Sequence, residues 1–522
     1  MAQTFNEITR NVVDHFLQNI IFVDDNAYQT EKKINAFDAN EISSIFAQKG
    51  KLCTIFAPAT TEDLGFCKTL FSKSDVVVLD WYLNIENTQQ IADAEADVEA
   101  EEPRGIYTLE LIKNIVEDAS EKKLKLIIVY TGDGAKLYGI TKDIHEAIAT
   151  DANYTIDEKR CQVSSANVTI LVRAKDNGEK DQLKYNQDLQ SKIVKYEDLP
   201  DFITAEFARF VGGLLPNFAM STIASIRNNT SNIIGVFSKD IDPAFLGHYV
   251  SIPDCNDAIP MLSEIFGSAI TDLIDSSNFD FKTWIDKWLT QKFRNQYQTR
   301  VGKNQINVTR TNIQNIVNST EKEFKSKLKN EGFCIKGSED ELKIDAIKLF
   351  KTSNKKPNYK LAKLIQHSNP FSPSHKIRLT TGTIVKYKKA NRWRFLLCIQ
   401  QRCDSVRIGK EEKARSFLFL PLQQKGKGEA VVVEENKHLI VDIKSYSIEL
   451  HKFSPIKEAD AQILAVQMDD QYVFTDAENK QYIWVAELKE MFAQHIVSAY
   501  ASQLSRVGID NSEWIRLVGK MN

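Results

Sequence analysis

Apolar residues in the first third of the chain follow two alternating patterns. Residues 5–19 set Phe5, Ile8, Val12 and Phe16 at helical spacing. Ile20-Ile21-Phe22-Val23 then runs apolar without a break and stops at Asp24-Asp25. The spacing next predicts a helix over 39–49, a strand over 52–56 and a helix over 61–72. A second unbroken run, Val76-Val77-Val78-Leu79, stops at Asp80. Helices predicted over about 105–119 and 136–149 flank a third run, 126–130, which stops at Thr131. A fourth run, 168–172, is followed by Arg173 and Lys175. Strands apolar at nearly every position suit a parallel sheet covered on both faces, and their alternation with helices predicts a doubly wound α/β fold. Such sheets bind ligands beyond the carboxyl ends of their strands. Asp24, Asp25, Asp80, Thr131 and Lys175 all fall there.

The pattern changes further on. From about 199 to 370 the chain is helical and strand-poor, with helices predicted over 202–215, 219–237 and 257–274 and charged helical stretches over 308–352. From about 376, segments 383–387, 394–399, 417–420, 430–433 and 439–443 have strand composition, and 484–506 is predicted as an amphipathic helix. At 522 residues the chain exceeds one hydrophobic core. We expect an α/β domain over 1–198, a helical domain over 199–370, and a small β-rich domain with a C-terminal helix over 371–522. Residues 85–104 interrupt the first, with seven acids against one arginine, and are expected to form a surface insertion.

Composition excludes several function classes. The net charge of −3 exerts no global pull toward nucleic acid or an anionic membrane. No stretch of 18 apolar residues exists, and the N-terminal segment lacks the basic end and apolar run of a signal peptide, so a cytoplasmic protein is expected. The seven cysteines are scattered, and Cys398 and Cys403 lack a second ligand pair, so free thiols are expected. There is no P-loop, and Ala147-Ile148-Ala149 after His145-Glu146 rules out HExxH. Lysines over 322–363 are interleaved with Glu323, Glu331, Glu339, Asp340 and Glu341, as on a solvated helix surface. Arg392, Arg394, Arg402, Arg407, Lys410, Lys413 and Arg415 fall in the β-rich part, where a small barrel with basic loops can bind single strands. Without a helix-turn-helix signature, nucleic acid is not the expected partner, and a DNA-binding regulator is the alternative reading.

The strand-end residues suit phosphoryl transfer to a carboxylate. That reaction needs a carboxylate nucleophile, a divalent metal between two anions, and cationic and hydroxyl groups on the product oxygens. Mg²⁺ favours oxygen ligands and commonly takes one or two carboxylates. Three carboxylates at adjacent strand ends repel one another unless a cation joins them. Thr131 can donate a hydroxyl to a phosphoryl oxygen, and Lys175 can pair with another.

The segments IIFVDDN, DVVVLDWYL and LIIVYTGD resemble the three signature strand ends of response-regulator receiver domains, and Gly105-Ile106-Tyr107-Thr108-Leu109 resembles the glycine-led helix of that family. The resemblance covers about a third of the chain and implies a flavodoxin-like sheet. It also implies Asp80 as phosphoacceptor, Asp24 and Asp25 as acids of a Mg²⁺ site, and the Tyr82 carbonyl as a metal ligand. Thr131 would be the phosphoryl-binding hydroxyl, with a lysine after the last strand as its cationic partner. The implied phosphodonor is a histidine kinase, and no activity beyond phosphotransfer and autodephosphorylation is expected. The chain departs from the family in its long spacings from Asp80 to Thr131 and from Thr131 to Lys175. Asp176 replaces the proline after the lysine, Arg173 rivals Lys175, and Val172 stands where receivers often carry a switch aromatic. LLPNFAMSTIASIRNNT, DIDPAFLGHYV and SRVGIDNSEWIRL are similar to the receiver component of Detocs-type anti-phage phosphorelays. That resemblance implies a phosphate sink competing with a receiver-containing effector for one kinase. Arg227 and His248 stand out in these segments without an assigned chemistry, and oligomeric state is left open.

Overall fold

The computed structural model describes residues 3–28, 37–85, 105–119, 123–148, 153–176, 187–251, 258–277, 279–292, 297–301, 304–319, 356–369, 376–406, 408, 414–425, 428–456, 462–469 and 471–505, with isolated positions at 323, 326, 327 and 330. Apart from Ile85, the acidic insertion expected over 85–104 lies outside them, as does most of 322–355. The chain forms two compact units, one of residues 1–299 with 305–320, the other of 300–304 with 321–522.

The first unit is built on an eight-stranded sheet. Its strands are β1 (Asn19–Val23), β2 (Leu52–Phe56), β3 (Val76–Leu79), β4 (Lys125–Thr131), β5 (Thr155–Asp157), β6 (Gln162–Ser164), β7 (Val168–Lys175) and β8 (Ile193–Val194). The order is β2-β1-β3-β4-β7-β6-β5, with β8 also paired to β7. The first five strands in that order run parallel, as the unbroken apolar runs predict. Every residue of β3, β4 and β7 is buried, because helices cover both faces. On one face α3 (Thr61–Lys73), α4 (Ile106–Ala119) and α5 (Leu137–Ile148) enclose a core with Ile112, Ile127, Ile144 and Ile170. On the other, α1 (Phe5–Phe16) and α2 (Ala39–Gln48) pack on Phe22, Val78, Ile128 and Leu171. Capping boxes at Thr4 and Thr60 satisfy amides at the starts of α1 and α3.

The antiparallel hairpin β5–β6, joined to β7, accounts for the long spacing between Thr131 and Lys175. Three-residue strands give too little pattern to read from sequence. The helices that follow continue the same unit. After a short turn of helix at Gln187–Gln190 come α6 (Leu199–Val211), α7 (Leu214–Asn228), α8 (Thr230–Val236), α9 (Asp242–Tyr249), α10 (Ala258–Ser276) and α11 (Phe281–Lys292). Leu199, Ile203, Phe207, Val211 and Met220 join the α1 core, so the boundary expected after residue 198 falls inside one packed body. The strand pair β9 (Tyr297–Val301) and β10 (Asn304–Val308) and helix α12 (Arg310–Val317) follow, so this stretch is less purely helical than its composition implies.

In the second unit, helix α13 (Lys356–Gln366) precedes a nine-stranded antiparallel sheet. Its strands are β11 (Thr383–Lys389), β12 (Arg392–Cys398), β13 (Arg415–Gln423), β14 (Ala430–Glu434), β15 (Lys437–Val441), β16 (Glu449–Phe453), β17 (Val466–Met468), β18 (Gln471–Thr475) and β19 (Gln481–Glu487). One face is covered by α14 (Glu490–Leu504) through Ala493, Ile496 and Tyr500. The other encloses an aromatic core with Phe417, Phe419, Phe453, Phe474 and Tyr482. The helix predicted over 484–506 is corrected here: residues 481–487 form β19, paired to β11 and β18, and the helix begins only at Glu490. Sheet pairing on both sides outweighs the local apolar spacing of this segment.

Candidate functional site

The strand register brings the predicted residues to one edge. Val23 pairs with Leu79, Leu79 with Val129, and Val129 with Val172, so the residues after these positions emerge side by side. The Asp80 amide donates to the Val23 carbonyl (2.9 Å), and the Asp24 amide to the Phe56 carbonyl (3.1 Å), fixing both acids at the sheet margin. Lys175, the last residue of β7, reaches across: its Nζ lies 2.7 Å from Asp24 Oδ2 and 2.8 Å from Asp80 Oδ1. All three side chains are buried. Phe37 and Tyr130 wall this ion cluster, their ring centroids 5.4 and 6.0 Å from the ammonium. The rival Arg173 is committed elsewhere. Its guanidinium donates to the Arg160 carbonyl (3.0 Å) and the Val172 carbonyl (2.7 Å) and lies over the Phe202 ring.

Asp25 sits beside the cluster without a share in it. One carboxylate oxygen accepts from Asn26 Nδ2 (3.0 Å), while the other, Oδ1, is buried with no hydrogen-bond partner. Burial, then the charges of Asp24 and Asp80, push its carboxyl up to about 6. Asp80 is also raised: burial acts first, the Lys175 ammonium opposes it, and Asp24 adds to it. Burial works against the Lys175 charge, but the attraction of Asp80 and Asp24 and the hydrogen bonds to both outweigh it and hold the amine protonated.

Tyr82 and Thr131, both named as site residues from sequence, and Thr108, which was not, line the backbone after Asp80. Thr108 Oγ1 donates to the carbonyls of Asp80 (2.8 Å) and Trp81 (3.1 Å). The Tyr82 amide donates to Asp80 Oδ2 (3.3 Å), and its hydroxyl to Asp133 Oδ2 (3.3 Å). Thr131 is fully buried at the end of β4, and its Oγ1 accepts from the Asp133 amide (3.2 Å). Thr108 had a signal in the glycine-led segment at 105–109, whereas the walls Phe37 and Tyr130 had none, because tertiary packing alone brings them to Lys175.

Parallel strand order, three carboxylates at adjacent ends and a buried lysine joining two of them form the pattern of a known family. Residues 16–180 match the family model of the response receiver domain. No curated protein matches the chain. The receiver domain supports a phosphoacceptor, response-regulator role and implies a histidine kinase as phosphodonor. Among the described residues no helix is long and apolar enough to cross a membrane.

Receiver domains bind Mg²⁺ for phosphorylation, and the residues present can be tested for that ion. Among the described residues no three His, Cys, Asp or Glu side chains converge as a ready-made cluster, since Lys175 takes an oxygen each of Asp24 and Asp80. The orphaned Asp25 oxygen is the feature that fits. A buried carboxylate oxygen without a donor is costly, and a hard cation satisfies it.

Proposed function

We propose that this protein accepts a phosphoryl group on Asp80 from a histidine kinase and acts as a phosphate sink. The observation that carries the reading is the buried Asp24–Lys175–Asp80 cluster beside the unpartnered Asp25 oxygen, at the carboxyl edge of a receiver sheet. An Asp80 carboxylate oxygen forms the new P–O bond as the P–N bond of a phosphohistidine breaks and the imidazole leaves. Lys175, already in contact with Asp80, pairs with a product oxygen, and the Thr131 hydroxyl donates to another. Asp25, Asp80 and the Tyr82 carbonyl would hold Mg²⁺, with Asp24 beside them. When bound, that ion supplies positive charge between the carboxylates and the incoming phosphoryl group.

The sink reading rests on the absence of a readout device at its usual place. Val172 occupies the position of the switch aromatic and is packed in the sheet core, so no ring there can swing between two positions. A protein that captures phosphate without passing on a signal would compete with an effector for the same kinase, as the sequence resemblance to anti-phage phosphorelays implies. The remaining helical and β-rich parts would then serve docking.

The test is labelling with acetyl phosphate or a phosphorylated kinase, with and without Mg²⁺. Wild type should label and Asp80→Ala should not; full labelling of that variant would overturn the assignment. Deleting the protein beside its kinase and effector should raise basal effector phosphorylation, and Asp80→Ala should reproduce the deletion. An Asp80→Ala strain that behaves as wild type would remove phosphate capture as the function.

A further inference from the structure

We propose that the outer half of the β11–β12 hairpin binds single-stranded nucleic acid, with Trp393 as the platform on which a base stacks. The hairpin turns on two residues, Ala390 and Asn391, both with positive φ (47° and 59°). Its register sets Lys388 opposite Trp393 and Lys389 opposite Arg392. The Trp393 indole, 46% exposed, is flanked by the ammonium groups of Lys386 and Lys388, 5.2 and 5.1 Å from the ring centroid. Arg392 and Arg394, on either side of Trp393 in sequence, stand on the other face of the same hairpin, and Lys437 lies over the Phe395 ring at 4.4 Å.

Three of these six cations meet a carboxylate and three do not. Lys386 and Lys437 share Glu434 (3.6 and 3.5 Å), and Arg394 meets Glu449 at 3.7 Å. Among the described residues no carboxylate pairs with Lys388, Lys389 or Arg392. An exposed aromatic ring beside the unpaired Lys388, with Lys389 and Arg392 unpaired at the adjoining turn, suits a ligand that alternates a flat base with a phosphate. The wider charge distribution agrees. Residues 321–522 hold 35 lysines and arginines against 25 acids, net +10, whereas residues 1–320 hold 32 against 45, net −13. The near-zero total conceals this division. The basic residues singled out from sequence divide differently. Arg402 pairs with Glu490 and Arg415 is spent on backbone carbonyls, while Arg407, Lys410 and Lys413 lie outside the described residues.

The surface reads base faces and phosphates, not sequence. The experiment is fluorescence anisotropy of labelled oligo-dT of about 20 nucleotides, with oligo-U alongside, titrated with the full chain at about 50 and 200 mM salt. Binding is expected at the lower salt, weaker at the higher, and within a few-fold for the two probes. Trp393→Ala should weaken it about tenfold or more, and Trp393→Tyr should retain most of it. Replacing Lys388, Lys389 and Arg392 by Gln should reduce the salt slope by about 2, at roughly 0.7 per lost phosphate contact. The proposal fails if no anisotropy change occurs up to about 100 µM protein, the weak end of non-specific binding. It also fails if Trp393→Ala binds as wild type, if Trp393→Tyr loses as much as Trp393→Ala, or if duplex competes as well as single strand. Binding to phosphatidylserine vesicles without binding to the oligonucleotides would overturn it in favour of an anionic membrane.

Discussion

Three carboxylates and one ammonium share the strand ends, and their charges do not cancel locally. Asp25 bears the excess. Its carboxyl titrates near 6 in the folded protein against an ordinary 3.8. A raised folded pKa favours the protonated form, so the stability linked to Asp25 is fully present below about pH 4 and lost as pH rises through about 6. Asp25→Asn should therefore stabilise the metal-free protein at pH 8 by about 1–2 kcal/mol, a figure reduced for the solvent that reaches this side chain. The gain should vanish below about pH 4, and Mg²⁺ should stabilise wild type more than the variant. Urea unfolding at two pH values, with and without Mg²⁺, checks this; a gain independent of pH would mean the carboxylate is not under electrostatic stress. Lys175→Met should act in the opposite sense. It leaves Asp24 and Asp80 buried without their cation and should cost about 3–5 kcal/mol at pH 8, less at pH 5 where Asp80, already raised by burial, can take up a proton.

Among the elements, the start of α4 governs the backbone next to Asp80. Gly105 has a φ of +80°, and a Cβ there would overlap the Trp81 ring. Trp81 is buried, so the ring has little room to retreat. Gly105→Ala should destabilise the first unit by about 2–4 kcal/mol, combining left-handed strain with overpacking. It should also reduce Asp80 labelling, because Thr108 of the same helix holds the Asp80 and Trp81 carbonyls. Thr108→Val should separate the two effects, lowering labelling without the backbone strain. Denaturation followed by Trp fluorescence, run in parallel with phosphorylation, measures both.

In the whole molecule, the helices after residue 198 pack in the same unit as the receiver sheet. Arg227 of α7 makes a two-pronged pair with Asp75 (2.8 and 3.0 Å), donates to the Phe16 carbonyl (2.9 Å) and stacks on the Phe16 ring. Asp75 also accepts the Gln18 and Asn19 amides that lead into β1, so this pair ties α7 to the sheet. Arg227→Ala should cost about 2–4 kcal/mol, since it strands a buried carboxylate. A chain ending at residue 198 removes Leu199, Ile203, Phe207 and Val211 from the α1 core and should aggregate, while one ending at 320 should remain monodisperse in size-exclusion chromatography. Equal behaviour of the two would make the helices an appendage.

Continuous apolar runs alternating with helical spacing made the parallel sheet legible along the chain, because strands buried on both faces leave such runs. The sequence also determined that Asp24, Asp25, Asp80, Thr131 and Lys175 share one edge, since strand direction places the end of each run on the same side. Only tertiary structure showed that Lys175 reaches Asp80 while Arg173 does not: they are two residues apart on one strand, and the packing of Phe202 and Arg160 holds Arg173 away. It also decided the β5–β6 insertion, too short for a pattern, and made 484–487, the start of the predicted helix, part of a strand paired with β11 and β18. The role of Arg227 was invisible for the same reason. An ion pair between positions 152 residues apart leaves no local signal, because charge complementarity acts through space and periodicity only along the chain.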